Sequence, residues 1–397
     1  MKEYKEIARF TANFRAKIGW IARLPTVPMA SDITPAIAPG RLAIPVEKRY
    51  LRVMTEDERN TMRAEFLREA AAGIIGQPWH WFSYHMCFLP PHPLVRSIVE
   101  ACIDCEAKLP GLGRQLIRDI GLIGGIDHHE PHYDQLMQKL AEILVLRQLL
   151  ALPWPEGTTF EHEPAVSADG KRPELKVDTP GQTYLFEVKA PSLLAHQRQR
   201  GANDVQAPVR VFPRELLDRV AGEGGLTLPR DNPVKDFLID TEAKFAPFKA
   251  GGPVIAVLVI VWDDFIYEPI TVLTQERCGL LTDNSYHQTE GGQAVTFPSI
   301  DAVVLVRHLM YFKMAAADEP LLERGHALDF GDDGALPNVV IPAPGGQQLP
   351  AFIQKGLRAL PLDDPMLARA AEYRPVEMVF WTNIDRSKDE EPALPAG

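Results

Sequence analysis

"RPELKVDTPGQTYLFEVKA", residues 172–190, is the stretch that decides the fold. Two short runs of alternating apolar and charged residues flank the dipeptide Pro180-Gly181. Alternation with a period of two is typical of strands, and Pro-Gly is a strong turn signal. The stretch therefore predicts a β-hairpin with its tip at this dipeptide.

The position of the tip also predicts which residues of the hairpin face each other. Leu175 should pair with Phe186, and Glu174 should face Glu187. One face is then apolar, and the other carries both glutamates and Lys189. Two opposed glutamates repel each other, whereas a divalent cation between them would turn the repulsion into binding. An ordinary amphipathic hairpin with surface ion pairs is the alternative interpretation.

The sequence around the hairpin predicts an α/β core. An apolar helix and a run of strand signals precede and include the hairpin, at residues 134–151, 158–166, 172–179 and 183–190. A helix and two further strands follow, at residues 233–248, 253–262 and 300–312. This order indicates a three-stranded meander that a helical crossover extends into a larger sheet.

Three segments are expected along the chain. Residues 1–130 are predicted to be mostly helical, with one helix beginning after the capping residue Thr55 and another opened by Pro93. Residues 131–313 form the predicted core. Residues 314–397 are rich in Gly, Pro and Asp and are expected to be a loop-rich extension. We expect the helical segment to recognise a target or a partner, or to form a homodimer.

"PE" at 173–174 followed by "EVK" at 187–189 resembles the signature of the PD-(D/E)XK nuclease superfamily. The resemblance covers about residues 134–310. It implies a restriction-endonuclease-like fold, that is, a mixed sheet flanked by helices. It also implies hydrolysis of phosphodiester bonds, expected in DNA, with Mg²⁺ as the cofactor and Mn²⁺ as a substitute. Such an endonuclease would suit restriction, phage defence or DNA repair.

The resemblance implies a role for each matching residue. Glu174 would be the first metal ligand, in place of the more usual aspartate, and Glu187 the second. The backbone carbonyl of Val188 would be a third ligand, and Lys189 would be the catalytic lysine. Glu142, the lone acid in the apolar half of the preceding helix, matches the further glutamate ligand that many members contribute.

Other stretches suggest weaker candidates. "DHHEPH" at 127–132 could bind a metal or simply begin a helix, and the aromatic run at 79–88 could stack bases or belong to the core. Cys102 and Cys105 form a CxxC without a second pair. Gln206 resembles a glutamine that some branches of the superfamily place after the lysine. Five residues after the hairpin could contact phosphates or line an exposed basic loop: His196, Arg198, Arg200, Arg210 and Arg214.

Composition bounds the class of protein. With 46% hydrophobic and 24% charged residues, the sequence is typical of a soluble globular protein, without a secretion signal or an apolar stretch of membrane-spanning length, so we expect a cytoplasmic location. A net charge of −11 argues against indiscriminate binding to nucleic acid. The alternative function is a catalytically inactive nucleic-acid-binding or assembly protein on the same fold, which would not need the metal.

Overall fold

The computed structural model describes most of the chain from residue 54 onward, and the described residues belong to one compact unit. These are residues 54–86, 91–166, 170–203, 205–206, 219, 225–228, 230–263, 265–321, 323–332, 334–368 and 381–382. Residues 1–53, the first part of the segment predicted to be mostly helical, lie outside them, as does the C-terminal tail from residue 383.

A seven-stranded mixed sheet forms the centre of the molecule. Its strands, in spatial order, are β1 (Thr159–His162), β2 (Leu175–Asp178), β3 (Thr183–Lys189), β6 (Val254–Trp262), β7 (Ala302–Arg307), β8 (Asn338–Pro342) and β9 (Ala359–Pro361). The first three strands are an antiparallel meander, and β6 and β7 continue it in parallel with β3. A separate small sheet contains β4 (Val205–Gln206), β5 (Leu226–Thr227) and β10 (Trp381–Thr382).

The described helices surround this sheet. They are α1 (Glu56–Ile75), α2 (Pro93–Lys108), α3 (Leu112–Leu122), α4 (Glu130–Leu150), α5 (Leu194–Ala202), α6 (Asp231–Lys249), α7 (Tyr267–Thr274), α8 (Leu309–Ala316), α9 (Ala351–Gly356) and α10 (Pro365–Ala368). Thr55 caps α1 in a capping box with Glu58, and Pro93 begins α2. The predicted mixed α/β architecture with a helical N-terminal part is therefore confirmed. No helix among the described residues has the length and apolarity to cross a membrane.

The hairpin has the predicted register. Leu175 pairs with Phe186 and Val177 with Tyr184, so the tip lies at Pro180-Gly181 as expected. The ladder ends at Leu175, and Glu174 occupies a bend directly before β2. The strand is shorter than predicted because Pro173 has no backbone N–H to donate to a neighbour.

Helices α4 and α6 cover opposite faces of the meander. Trp154, just after α4, contacts the rings of Phe160, Tyr184 and Phe186 on one face. Because side chains alternate along a strand, Glu187 and Lys189 point to the other face. There α6, the crossover between the parallel strands β3 and β6, packs over them. Both faces of β3 are therefore buried, and Glu187 is not on a solvated surface.

Two predictions about the later elements need correction. The predicted strand at 300–312 ends at Arg307, and Leu309–Ala316 is helix α8. Leu309, Phe312 and Ala315 are buried at helical spacing, which a short apolar run does not reveal by itself. The C-terminal segment was expected to be loop-rich, yet it adds β8 and β9 to the main sheet. The division of the chain into three domains stays a prediction.

Asp301, directly before β7, connects several elements around the sheet through its buried carboxylate. This carboxylate, 2% exposed, accepts hydrogen bonds from Lys249 Nζ (2.5 Å) at the end of α6 and from the backbone N–H of Ala256 (2.7 Å) in β6. Its other oxygen accepts from the N–H of Gln347 (2.8 Å). One side chain thus ties α6 and β6 to the start of β7.

We expect Asp301→Ala to lower the free energy of unfolding by about 3–5 kcal/mol, because it leaves a lysine ammonium without its partner and two N–H groups without an acceptor. Chemical denaturation measures the loss. Asp283→Ala, at an exposed position, is the control and should change stability by less than about 0.5 kcal/mol. Equal stability of the two variants would contradict the anchoring role.

Candidate metal centre

A backbone contact brings the end of β1 next to the start of β2. Glu163 adopts a left-handed conformation (φ 48°), which turns the chain just after His162. The N–H of Glu163 donates a 3.1 Å hydrogen bond to the carbonyl of Glu174. His162 pairs with Leu175, the first residue of β2. This arrangement places the imidazole of His162 and the carboxylate of Glu174 side by side.

Helix α4 contributes a third ligand-type side chain. Glu142, His162 and Glu174 each offer one ligand atom, and these atoms lie within 4.8 Å of one another. The Nε2 atom of His162 is 3.8 Å from Oε1 of Glu142, which is too long for a hydrogen bond. Lys139, one turn earlier on α4, holds Oε2 of Glu142 at 2.6 Å. The second oxygen of Glu142 therefore faces the histidine.

His162 Nε2 is a buried nitrogen without a hydrogen-bond partner. The side chain is only 10% exposed, and no donor or acceptor in the described structure reaches this atom. Buried polar atoms in folded proteins nearly always have a partner. An imidazole nitrogen that lacks a hydrogen-bond partner and faces two carboxylates has the arrangement expected of a metal ligand.

Glu187 lies in an adjoining ion-pair network on the α6 side of the hairpin. Its side chain is fully buried, and its Oε1 atom accepts from Lys244 Nζ (2.5 Å) and pairs with Lys189 Nζ (2.8 Å). Its Oε2 atom is buried without a hydrogen-bond partner. Two lysine ammonium groups thus contact one carboxylate oxygen of Glu187, and the other oxygen has no hydrogen-bond partner among the described residues.

Asp240 completes this network. It accepts from Lys189 Nζ (2.7 Å) and from Lys171 Nζ (2.7 Å). Burial alone would raise the pKa of Asp240, but the two lysine hydrogen bonds lower it to about 2. Burial alone would lower the pKa of Lys189, but Glu187 and Asp240 raise it above its ordinary value. Lys189 is therefore a firmly charged ammonium.

The carboxylate of Glu174 experiences both groups of charges. Its burial, together with the negative charges of Glu142 and Glu187, raises its pKa to about 8. Burial alone would raise the pKa of Glu142 as well, but His162 and Lys139 lower it. Two neighbouring carboxylates cannot both be charged at low cost in a buried site, so their pKa values move apart and the proton is held on Glu174. A dication could replace that proton.

The donor set fits a divalent cation. Two carboxylates and one imidazole come from three different elements, and the buried carboxylate of Glu187 lies beyond Glu174. Oxygen and nitrogen ligands of this kind bind divalent metals in proteins. The cluster would otherwise be a costly set of partly compensated buried charges.

The structure brings some of the sequence-predicted site residues together. Glu142 and Glu174 share the three-residue cluster, and Glu187 and Lys189 form the adjoining network. Val188 lies between the last two on β3, opposite Val259 of β6. Binding of one cation by both Glu174 and Glu187, with the carbonyl of Val188, stays a prediction.

Three contributors were missed in the sequence. His162 ends a short strand, and its phase with Phe160 was the available signal that it faces α4. Asp240 and Lys244 are four residues apart on α6 and flank its buried stripe of Val234, Leu238 and Phe245. Their spacing marks a polar edge on the helix, but the partner of that edge depends on the crossover geometry.

The described residues of the basic stretch after the hairpin form ion pairs. His196 and Arg200 of α5 are buried and pair with Glu268, and Arg200 also pairs with Asp263, so neither is part of an exposed basic loop. Arg198 is exposed and pairs with Glu130. Arg210, Arg214 and the side chain of Gln206 lie outside the described residues.

The remaining three stretches lie in or between the N-terminal helices α1 to α4. His129 begins α4, with its ring 4.3 Å from that of His132, and no three-residue ligand cluster forms there among the described residues. The rings of Trp79 and Trp81 contact each other at 4.7 Å. Cys102 and Cys105 are both fully buried in α2, and burial raises the pKa of each thiol.

Comparison with known proteins adds no relative: no protein-family model, no curated protein and no solved structure matches this chain.

We expect Lys244→Met to lower the free energy of unfolding by about 1–3 kcal/mol, because it removes one of the two cations at a fully buried carboxylate. Glu187→Gln should also be destabilising, and the double variant should lose less than the sum of the two single losses. Chemical denaturation of the four proteins yields the coupling energy. Lys235→Met on the same helix, whose partner Asp236 is exposed, is the control. Additive effects would contradict a direct interaction.

In a chelating buffer, the pKa of Glu174 predicts how stability depends on pH. The folded state holds this proton up to pH about 8, whereas the unfolded chain loses it near pH 4.5. The contribution of Glu174 to the free energy of unfolding is therefore complete below pH 4.5. It is lost as the pH rises towards 8, by at most about 1.4 kcal/mol per pH unit. Glu174→Gln lacks this loss, so its stability relative to the wild type should increase across the window. Parallel stability curves for the two proteins would contradict the raised pKa of the buried Glu174 carboxyl.

Proposed function

We propose that the protein is a divalent-metal-dependent nuclease with a PD-(D/E)XK-like core. The order of elements supports this proposal. Helix α4 precedes the meander β1-β2-β3, the motif residues flank the β2–β3 hairpin, and the crossover helix α6 leads to the parallel strand β6. This is the order that the sequence resemblance implies for a restriction-endonuclease-like fold.

The observation that carries the proposal is the convergence of charged groups at the open end of the hairpin. Glu142, His162 and Glu174 offer ligand atoms within 4.8 Å of one another, and the Glu187–Lys189 pair lies on the neighbouring strand. A sheet held together only by packing does not need five such partly or fully buried polar groups at one end, because each buried charge costs free energy. A metal-dependent active site does need them.

The site residues divide the work of phosphodiester hydrolysis between them. When bound, a divalent cation lowers the pKa of a coordinated water and neutralises charge on the phosphate. Glu142 and Glu174 would hold the cation, and Glu187, whose Oε2 atom has no hydrogen-bond partner among the described residues, could add a further oxygen. Lys139 fixes the orientation of Glu142 through its 2.6 Å contact.

Lys189 would act as a charged group rather than as a base. Glu187 and Asp240 keep its ammonium protonated, so it can orient the attacking water and stabilise the charge that develops on the phosphate. The substrate class, with DNA as the first choice, follows from the resemblance of the motif.

One observation favours the second candidate, a protein with the same core and no catalysis. The Lys244 ammonium is 2.5 Å from Oε1 of Glu187 and already balances the charge of this carboxylate. In a catalytic site, the ammonium would have to coexist with the cation or move aside. A non-catalytic nucleic-acid-binding or assembly protein would retain the lysine contact permanently.

Cleavage assays decide between the two candidates. We expect the full-length protein to cut plasmid, linear duplex or single-stranded DNA with millimolar Mg²⁺ or Mn²⁺ and not with chelator. Lys189→Ala should reduce the rate by at least about 100-fold, because it removes a cation that stabilises the transition state. Glu174→Gln should lose cleavage and also weaken metal binding.

Lys176→Ala is the matched control, since Lys176 lies on the same hairpin but pairs with Asp178 away from the cluster. It should cleave at the wild-type rate. Cleavage by Lys189→Ala at the rate of the control would exclude the proposed site. If the wild-type protein binds DNA without cutting it under any of these conditions, the second candidate is supported.

A further inference from the structure

His162 is the one nitrogen donor in the Glu142–His162–Glu174 cluster, and the proposed nuclease chemistry does not by itself require a nitrogen ligand. Its Nε2 atom is buried, unpartnered and 3.8 Å from Glu142 Oε1. The backbone contact from Glu163 to Glu174 fixes this ring next to the second carboxylate. The identity of the donor atom therefore carries information about the cation.

The spacing suits a single ion. Ligand atoms about 2.1 Å from one metal lie about 3.0–3.4 Å apart in octahedral or tetrahedral geometry. The three ligand atoms are within 4.8 Å of one another before any ion draws them in. Side-chain rotations that shift the ligand atoms by about 1 Å would bring them to the spacing that a single metal ion requires.

We infer that Glu142, His162 and Glu174 form a site for a first-row transition-metal dication. This site binds Mn²⁺ in preference to Mg²⁺, because Nε2 of His162 is one of its ligand atoms. The inference rests on the proposed function in that the same carboxylates are used, and it names the metal class of that site. Mg²⁺ prefers oxygen ligands and retains its waters, whereas imidazole is a good ligand for transition metals.

Neighbouring charges help to prepare the ligands. Lys139 holds the far oxygen of Glu142 and leaves Oε1 directed at the cluster, as the groups that orient metal ligands do in metalloproteins. Among the described residues, no lysine or arginine nitrogen forms an ion pair with the carboxylate of Glu174. A dication could therefore enter without breaking an ion pair at Glu174.

The test is spin-echo spectroscopy of the Mn²⁺-loaded full-length protein. Modulation from a directly bound ¹⁴N nucleus is expected, and it should change to the ¹⁵N pattern when the protein is labelled with ¹⁵N-histidine. This experiment uses the wild-type protein, so it does not depend on how well a variant folds. Absence of nitrogen coupling would overturn the inference.

His162→Asn supplies an amide oxygen of similar reach and tests selectivity. It should abolish the nitrogen signal and weaken Mn²⁺ binding about tenfold or more, while Mg²⁺ binding stays within about threefold, as measured by titration. His128→Asn, in the exposed histidine-rich segment 127–132, is the control and should retain both the signal and the affinity. Loss of the signal in the control instead would place the metal elsewhere and overturn the inference.

Metal binding and catalysis can fail separately. Histidine-dependent Mn²⁺ binding without DNA cleavage would remove the nuclease and keep the site. Cleavage with Mg²⁺ that is unaffected by His162→Asn, together with no nitrogen coupling, would keep the nuclease and remove the inference.

Discussion

The fully buried carboxylate of Glu187 is the constraint on which the rest of the site depends. A lone buried charge inside a sheet would destabilise the fold, so cationic side chains must lie next to the carboxylate. Lys189 supplies one from the same strand, and Lys244 supplies the other from α6. The crossover helix is therefore tied to the hairpin by charge as well as by its apolar stripe, and Asp240 balances the lysines in turn.

The end of the β1–β2–β3 meander is where two layers of the protein meet. Helix α4 brings Glu142 to one face, and α6 brings its lysine and aspartate to the other. Glu174 lies just beyond the ladder, and its raised pKa reflects its burial and then the negative charges of Glu142 and Glu187. A substrate or a cation at this end of the sheet could interact with all of these groups.

The two clusters differ in how their charge is balanced. In the Glu187 network, ammonium groups of the protein itself provide the balance. In the Glu142–His162–Glu174 cluster, one lysine faces Glu142, and the raised pKa of Glu174 keeps that carboxyl protonated. We propose that a dication replaces that proton, because it would also bind the histidine nitrogen, which has no hydrogen-bond partner among the described residues. The nuclease proposal uses both: the Glu142–His162–Glu174 cluster would hold the cation, and the Glu187 network keeps Lys189 charged.

Local pattern in the sequence was sufficient for the hairpin, its register and the order of the central elements. Pro180-Gly181 determines the tip, and period-two alternation then pairs Leu175 with Phe186. The resemblance of the motif then selected Glu142, the lone acid in the apolar half of the preceding helix. Only the tertiary structure showed that His162 joins Glu142 and Glu174, and that Lys244 and Asp240 reach Glu187 and Lys189. These contacts span tens of residues, and they depend on which face of the sheet each helix covers, which periodicity within a single segment does not encode.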